Sequence, residues 1–212
     1  SAFSPGRCQK WPSAGGAADE RGPVVAQDHR ARQYASTHQR IYDTAMELFR
    51  ESGYEDVPIS RLAAAAGVSV QTFYAHYPSK DDLIMAPPDR AEVTALLASV
   101  PADLPLGERV RGVLRQFLHG LQGERRSDAL ARWQLIAATP RLRYRAAEYE
   151  RATAQMFLDA LCDGEPGHPA STVVVTAHLS AYTQALLRWA ESGGELSLEH
   201  VMEEALSALR EL

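Results

Sequence analysis

Between positions 41 and 49 the apolar residues fall at Ile41, Ala45, Leu48 and Phe49, the i, i+4, i+7, i+8 spacing of one face of a helix. Gly53 follows the last turn of that stripe, and glycine is the residue that most easily takes the left-handed conformation ending a helix. A second, shorter helix is predicted around Leu62, Ala63 and Ala66, with Pro58 near its first turn, where a missing N–H costs little. Gly67 then permits a sharp change of direction. Ser69 is placed to cap a third helix by accepting from its free N–H groups, and Val70 to Tyr77 supply the body. Phe73 and Tyr77, four apart, share the core side. That leaves Gln71, Thr72, Tyr74, Ala75 and His76 for the open surface. Ser79 reads as the cap of a fourth helix with Asp81 and Asp82 in its first turn and Leu83 and Ile84 behind them. The pattern is a helix-turn-helix whose second helix has a polar outer face.

The flanks read differently. Residues 1–35 are rich in Gly, Pro, Ala, Ser and charge, without sustained period, and are expected to form a flexible arm. Arg21, Arg30 and Arg32 would lead that arm toward a minor groove, or would simply be solvated. After Ile84, the run Met85-Ala86-Pro87-Pro88 interrupts a helix, so the fourth helix is expected to be short or kinked. Further helices are predicted over 106–121, 128–138, 140 to about 162, and 170–191. Gly193-Gly194 breaks the chain, and Ser197 caps a final helix carrying Leu198, Val201, Met202, Ala205, Leu206 and Leu209. No alternating strand pattern and no internal repeat is present. The expected fold is all-α: a helix-turn-helix three-helix domain over 36–84, then a helical ligand-binding and dimerisation domain over 85–212.

Composition narrows the picture without deciding it. The 212 residues, 45% of them hydrophobic, suit one small unit and one larger one, each with a core. A net charge of −5 gives no broad basic patch, so charge alone does not point to nucleic acid. Cys8 and Cys162 are far apart and are expected to be reduced thiols, with no zinc spacing around them. No stretch approaches the roughly 20 apolar residues of a membrane span, and the amino end lacks a signal-peptide core, so a cytoplasmic protein away from membranes is expected. There is no nucleophile–base–orienter arrangement, no metal-ligand spacing and no Gly-rich phosphate loop. Neither enzyme activity nor a cofactor is expected.

Gly53-Tyr54, Leu62-Ala63, Ala66-Gly67-Val68-Ser69, Thr72-Phe73-Tyr74, His76-Tyr77 and Ser79-Lys80 follow one another in order, and the series resembles the DNA-binding domain of the tetracycline-repressor (TetR) family. The resemblance implies a third helix that enters the major groove of a double-stranded DNA operator. Gln71, Thr72, Tyr74 and His76 would face bases or phosphates, Val70 or Ala75 would touch a thymine methyl, Lys80 would neutralise a phosphate, and Ser60 would make a weaker backbone contact. Two departures stand out: Pro58 occupies a place where many relatives have Thr, and Gln71 one where many have Gly, which gives this chain a longer reach toward a base.

In the second half, Arg132-Trp133-Gln134-Leu135-Ile136, Thr139-Pro140-Arg141-Leu142-Arg143 and Leu187-Arg188-Trp189 resemble the carboxy-terminal domain of an actinobacterial TetR subgroup. That subgroup includes the regulator of mycofactocin genes, which responds to acyl-coenzyme A. The resemblance implies a small-molecule effector that is bulky or acyl-bearing. Phe117, Leu121, Trp133, Met156, Phe157, His178 and Tyr182 are the candidate pocket residues; the same spacing also describes an ordinary helical core. Ala177, Ala181, Leu187, Val201, Ala205 and Leu209 are the candidate homodimer surface, since the family builds a four-helix interface from two chains. A twofold dimer sets two reading helices about one DNA turn, roughly 34 Å, apart and predicts a palindromic operator. A repressor released by its effector is the leading reading. An activator, a ligand-independent repressor and a helical scaffold that no longer reads DNA remain open on sequence.

Overall fold

The computed structural model describes residues 23–85, 88, 90–161 and 169–210. Cys8, Cys162 and Arg21 lie outside them. Helices account for the ordered elements, and no strand occurs among the described residues. The chain divides into two compact units that meet in sequence at Leu83 and Ile84.

The first unit opens with α1, Pro23–Ser52. Ile41, Ala45 and Phe49 are fully buried and Leu48 is half-buried, so the predicted stripe is the inward face. The amino end differs from the expected arm: residues 23–35 continue the helix. Glycine and proline are concentrated up to Pro23 and are absent from there to Gly53. Once the packed part of a helix is nucleated, good formers such as Ala, Arg and Gln extend it at little cost. Gly53 ends α1 with φ +82° and gives its N–H to the Phe49 carbonyl at 2.9 Å.

Tyr54 and Val57 turn into the core before α2, Ile59–Ala65, which buries Leu62 and Ala63. Its end is a Schellman turn. Gly67, at φ +65°, donates to Ala64, and Val68 donates to Ala63, which satisfies two carbonyls at the helix end. Arg40 of α1 gives its Nε to the Ala66 carbonyl at 3.0 Å and ties α1 to the same turn. The third helix, α3, is Val70–His76, and Ser69 Oγ accepts the Thr72 N–H at 2.9 Å as its cap. The next, α4, is Lys80–Ile84; Ser79 Oγ accepts the Asp82 N–H and donates to the Asp82 carboxylate at 2.6 Å.

The second unit is built from α5 (Arg90–Ala98), α6 (Leu106–Gly120), α7 (Glu124–Ala138), α8 (Pro140–Leu161), α9 (Pro169–Glu191) and α10 (Leu198–Ala208). The helix α5 has no counterpart in the sequence reading, where the prolines drew attention to the break. Val93, Leu97 and Val100 nevertheless face the core. The helix α9 is central and packs against α6, α7, α8 and α10. It contributes Val175, Leu179, Leu186 and Trp189 to one cluster with Val110, Leu114, Phe157 and Met202. Ser197 caps α10 by accepting the His200 N–H. Arg111 of α6 is 2% exposed and donates Nη2 to the Leu206 carbonyl near the end of α10 at 3.0 Å. A buried guanidinium there supplies both a donor and a positive charge to a helix end that lacks them. No helix among the described residues is long and apolar enough to cross a membrane.

Candidate nucleic-acid interface

Four short-range features place the outer face of α3. The Ser69 cap fixes its start, Gly67 fixes the angle at which the chain enters it, and Phe73 and Tyr77 pin its inner side, both buried. Phe73 meets Tyr77 and the edge of Tyr74 at ring-centroid distances of 5.9 and 5.8 Å. On the other side Gln71 and Ala75 are exposed, Tyr74 is 50% exposed and Val70 41% exposed.

The remaining expected contacts are placed less simply. Ser60 is exposed in the first turn of α2. Thr72 is half-buried, and its hydroxyl is 2.8 Å from Ser69 Oγ, so it serves the cap as well as the surface. His76 is half-buried and stacks on Tyr34 of α1, with ring centroids 4.2 Å apart.

Lys80 calls for a correction. Its ammonium donates to the Tyr54 carbonyl at 2.6 Å and the Val57 carbonyl at 3.1 Å, and it lies 4.1 Å from the centre of the Tyr54 ring. The charge expected on a DNA phosphate is folded inward, because the two loop carbonyls that follow α1 need donors and the electron-rich ring face adds attraction. Lys80 here is a clamp between α4 and the loop after α1. The Tyr54 hydroxyl completes that corner by donating to the buried Asp81 carboxylate.

Tyr34 is the residue the sequence did not single out. It is 48% exposed, its ring covers His76, and its hydroxyl donates to the Ala75 carbonyl at 3.4 Å. The signal was the i, i+4 pair Tyr34 and His38, legible only once α1 is extended backward.

In the second unit, Phe117, Leu121, Trp133, Met156 and Tyr182 are half-buried side chains packed against the core cluster, Phe157 is inside it and His178 is buried. His178 engages the Val174 carbonyl through Nδ1 at 2.8 Å. Burial pushes the Tyr182 phenol up to about 12, while nearby Arg132 pulls the other way. The phenol therefore stays neutral at physiological pH. On the expected dimer surface, Ala177, Ala181, Ala205 and Leu209 are half-buried. Val201 is corrected: it is 2% exposed, within the core of its own unit beside Leu198 and Met202, because α10 turns that face toward α9. Leu187 is likewise buried. Val173, 66% exposed one turn before Ala177, was missed.

Residues 41–86 match the family described as bacterial regulatory proteins, tetR family. The chain is 31% identical over 134 residues to the HTH-type transcriptional regulator TcmR of Streptomyces glaucescens, a match covering 60% of this chain and 58% of that protein. It is 30% identical over 88 residues, 41% of this chain and 44% of the other, to MftR of Mycobacterium tuberculosis, named as a candidate mycofactocin biosynthesis transcriptional regulator. The chain thus spans less than two thirds of the length of these curated relatives. Among solved structures it is similar in fold to NalD, the secondary repressor of the MexAB-OprM multidrug efflux pump in Pseudomonas aeruginosa, with a TM-score of 0.54 and 21% identity over 85% of this chain and 96% of that one.

Proposed function

We propose, for a chain that belongs to the tetR family of bacterial regulatory proteins, a role as a dimeric repressor that binds a palindromic operator and is released by a small molecule. The observation that carries it is the division of α3 into an inner face of Phe73 and Tyr77 and an outer face of Val70, Gln71, Tyr74 and Ala75. Such a helix is anchored by its aromatics and open to a groove. Gln71 and Tyr74 read base edges or the sugar-phosphate wall, Val70 and Ala75 supply apolar contact, and Ser60 and Thr72 touch the backbone. A gel shift against the DNA upstream of the protein's own gene tests this reading. A retarded complex competed by specific but not by random duplex supports it, and no complex at micromolar protein counts against it.

Gln71→Ala is expected to cost about 1–3 kcal/mol on the cognate site and to relax preference at one base pair, without changing the thermal melt. Competition binding against a set of singly substituted operators reads both quantities.

Dimerisation is assigned to α9 and α10, where Val173 is exposed and Ala177 half-buried, while Ala181, Ala205 and Leu209 pack partly against the core of their own unit and leave the rest of their surface for a second chain. Ala177→Arg is expected to weaken the dimer by about tenfold or more, since a long cation would be buried at a close helix crossing. Analytical ultracentrifugation across a concentration series measures it; an unchanged association constant moves the interface elsewhere.

The effector is assigned to the second unit, against Phe117, Leu121, Trp133, Met156, Phe157, His178 and Tyr182. Half-buried apolar side chains with an imidazole and a neutral phenol among them fit a ligand with a bulky hydrophobic body, an acyl chain included. A differential affinity of about 5- to 150-fold between DNA-competent and released states, roughly 1–3 kcal/mol, is enough for release.

A further inference from the structure

Four rings join the amino-terminal part of α1 to the carboxy-terminal part of α3. Tyr34 stacks on His76 and His38 stacks on Tyr77, each with centroids 4.2 Å apart, while the two imidazoles lie 5.8 Å from one another. Two hydrogen bonds flank the rings: the Tyr34 hydroxyl donates to the Ala75 carbonyl and the Tyr77 hydroxyl to the His38 carbonyl, the latter at 3.1 Å. Nδ1 of His38 and Nδ1 of His76 are both buried and without a hydrogen-bond partner. We propose that Tyr34 and His38 are positioning residues that set the angle of the reading helix, and that this ring stack holds only while both imidazoles are neutral. The proposal deepens the assignment of α3 as the DNA-reading helix and rests on it.

The chemistry follows from the two buried nitrogens. A neutral imidazole can leave Nδ1 as a bare lone pair and carry its proton on Nε2. An imidazolium must place an N–H on Nδ1, where neither residue has an acceptor, and a second imidazolium would face the first within the same cluster. Burial holds both imidazoles below the usual 6.5, and His76 lowers His38 further. From α1 the facing groups are Tyr34 and His38, and from α3 they are His76 and Tyr77. The neighbouring cations are spent elsewhere: Arg40 on Ala66, and Lys80 on Tyr54 and Val57. Asp43 of α1 accepts from Gln39, and Arg61 of α2 is exposed. Because the folded forms bind protons more weakly than the unfolded chain, the stack is intact above the unfolded value of 6.5 and is lost as pH falls through the lower folded values.

The direction is diagnostic. A histidine acting simply as a phosphate contact binds DNA more tightly when protonated, whereas a positioning stack predicts weaker binding in acid. The test uses the full chain. Histidine Cε1–H resonances and ring-to-ring nuclear Overhauser contacts are followed from about pH 8 to about pH 5. The Tyr34–His76 contacts are expected to vanish as both imidazoles titrate, and rings that stay in contact through titration overturn the proposal with no DNA in the tube. A duplex recovered by wild-type selection from random sequence at neutral pH is the binding probe. Wild-type affinity for it is expected to fall by about tenfold or more over the same range, equivalent to about one pKa unit, and the His38→Phe, His76→Phe double variant to hold a flat profile. Tyr34→Ala is expected to lose about tenfold at neutral pH with an unchanged melt of the second unit, and Tyr34→Phe to lose less. Identical pH profiles for wild type and double variant overturn the proton dependence, and full affinity in Tyr34→Ala overturns the positioning role. If selection recovers no duplex while the rings separate in acid as expected, the regulator assignment fails and takes the positioning role with it; the spectra tell this apart from failure of the stack.

Discussion

Phe73→Ala is expected to abolish DNA binding by unfolding the unit that carries it. The Phe73 ring is fully buried and braces both Tyr74 and Tyr77, so its removal costs the transfer energy of the side chain and leaves a cavity, about 3–5 kcal/mol together. A unit of this size has little to spare, because small domains bury a modest fraction of their surface and net stabilities of about 5–15 kcal/mol belong to whole domains. Differential scanning calorimetry of the full chain should show the melt of the first unit shifted or missing and that of the second retained. Binding should fall for every DNA sequence alike. The contrast with Gln71→Ala separates scaffold from readout: there the melt is intact and one base preference is lost. A Phe73→Ala protein with wild-type melting would mean that α3 is held by something other than its aromatic face.

Lys80→Met is expected to destabilise the first unit by about 2–4 kcal/mol, the second-largest effect. Methionine keeps most of the apolar stem and removes the ammonium, so the Tyr54 and Val57 carbonyls each lose a charge-assisted donor worth about 1.5–3 kcal/mol, partly recovered where water reaches them. Chemical denaturation measures the loss. The salt dependence of DNA binding distinguishes the clamp from a phosphate contact. Removing a contact to phosphate lowers the slope of log K against log salt by about one, and removing an inward clamp leaves it unchanged. A shallower slope with unaltered stability would restore Lys80 to the DNA surface.

How far the sequence could be read depended on the range of the forces involved. The third helix was legible because each determinant is local: Ser69 caps a residue three positions on, Gly67 supplies one unusual backbone angle, and Phe73 and Tyr77 are a single turn apart. Lys80 was not legible, because its partners lie 26 and 23 residues away and its residue type fits water, phosphate and carbonyl equally well. The extension of α1 was obscured by averaging composition over positions 1–35, where glycines before residue 23 concealed a stretch free of helix breakers after it. Val201 shows the limit of periodicity. Its spacing with Ala205 and Leu209 was right for a packed stripe, yet nothing in one sequence says whether a stripe packs inward or against a second chain, and here Val201 packs inward. Tyr34 and His38 became visible as a pair only through their partners on α3.

The Arg111 anchor also bears on how the protein is made. Its acceptor, the Leu206 carbonyl, is 95 residues farther along the chain, so a ribosome delivers the guanidinium long before the oxygen it will serve. Until α10 emerges, that cation has only Glu108, 3.8 Å away on its own helix, as a partner, and its Nη2 has no carbonyl to serve. Synthesis of α10 is thus the event that lets this unit seal, and termination just short of Leu206 would leave a product with a buried donor that has lost its acceptor.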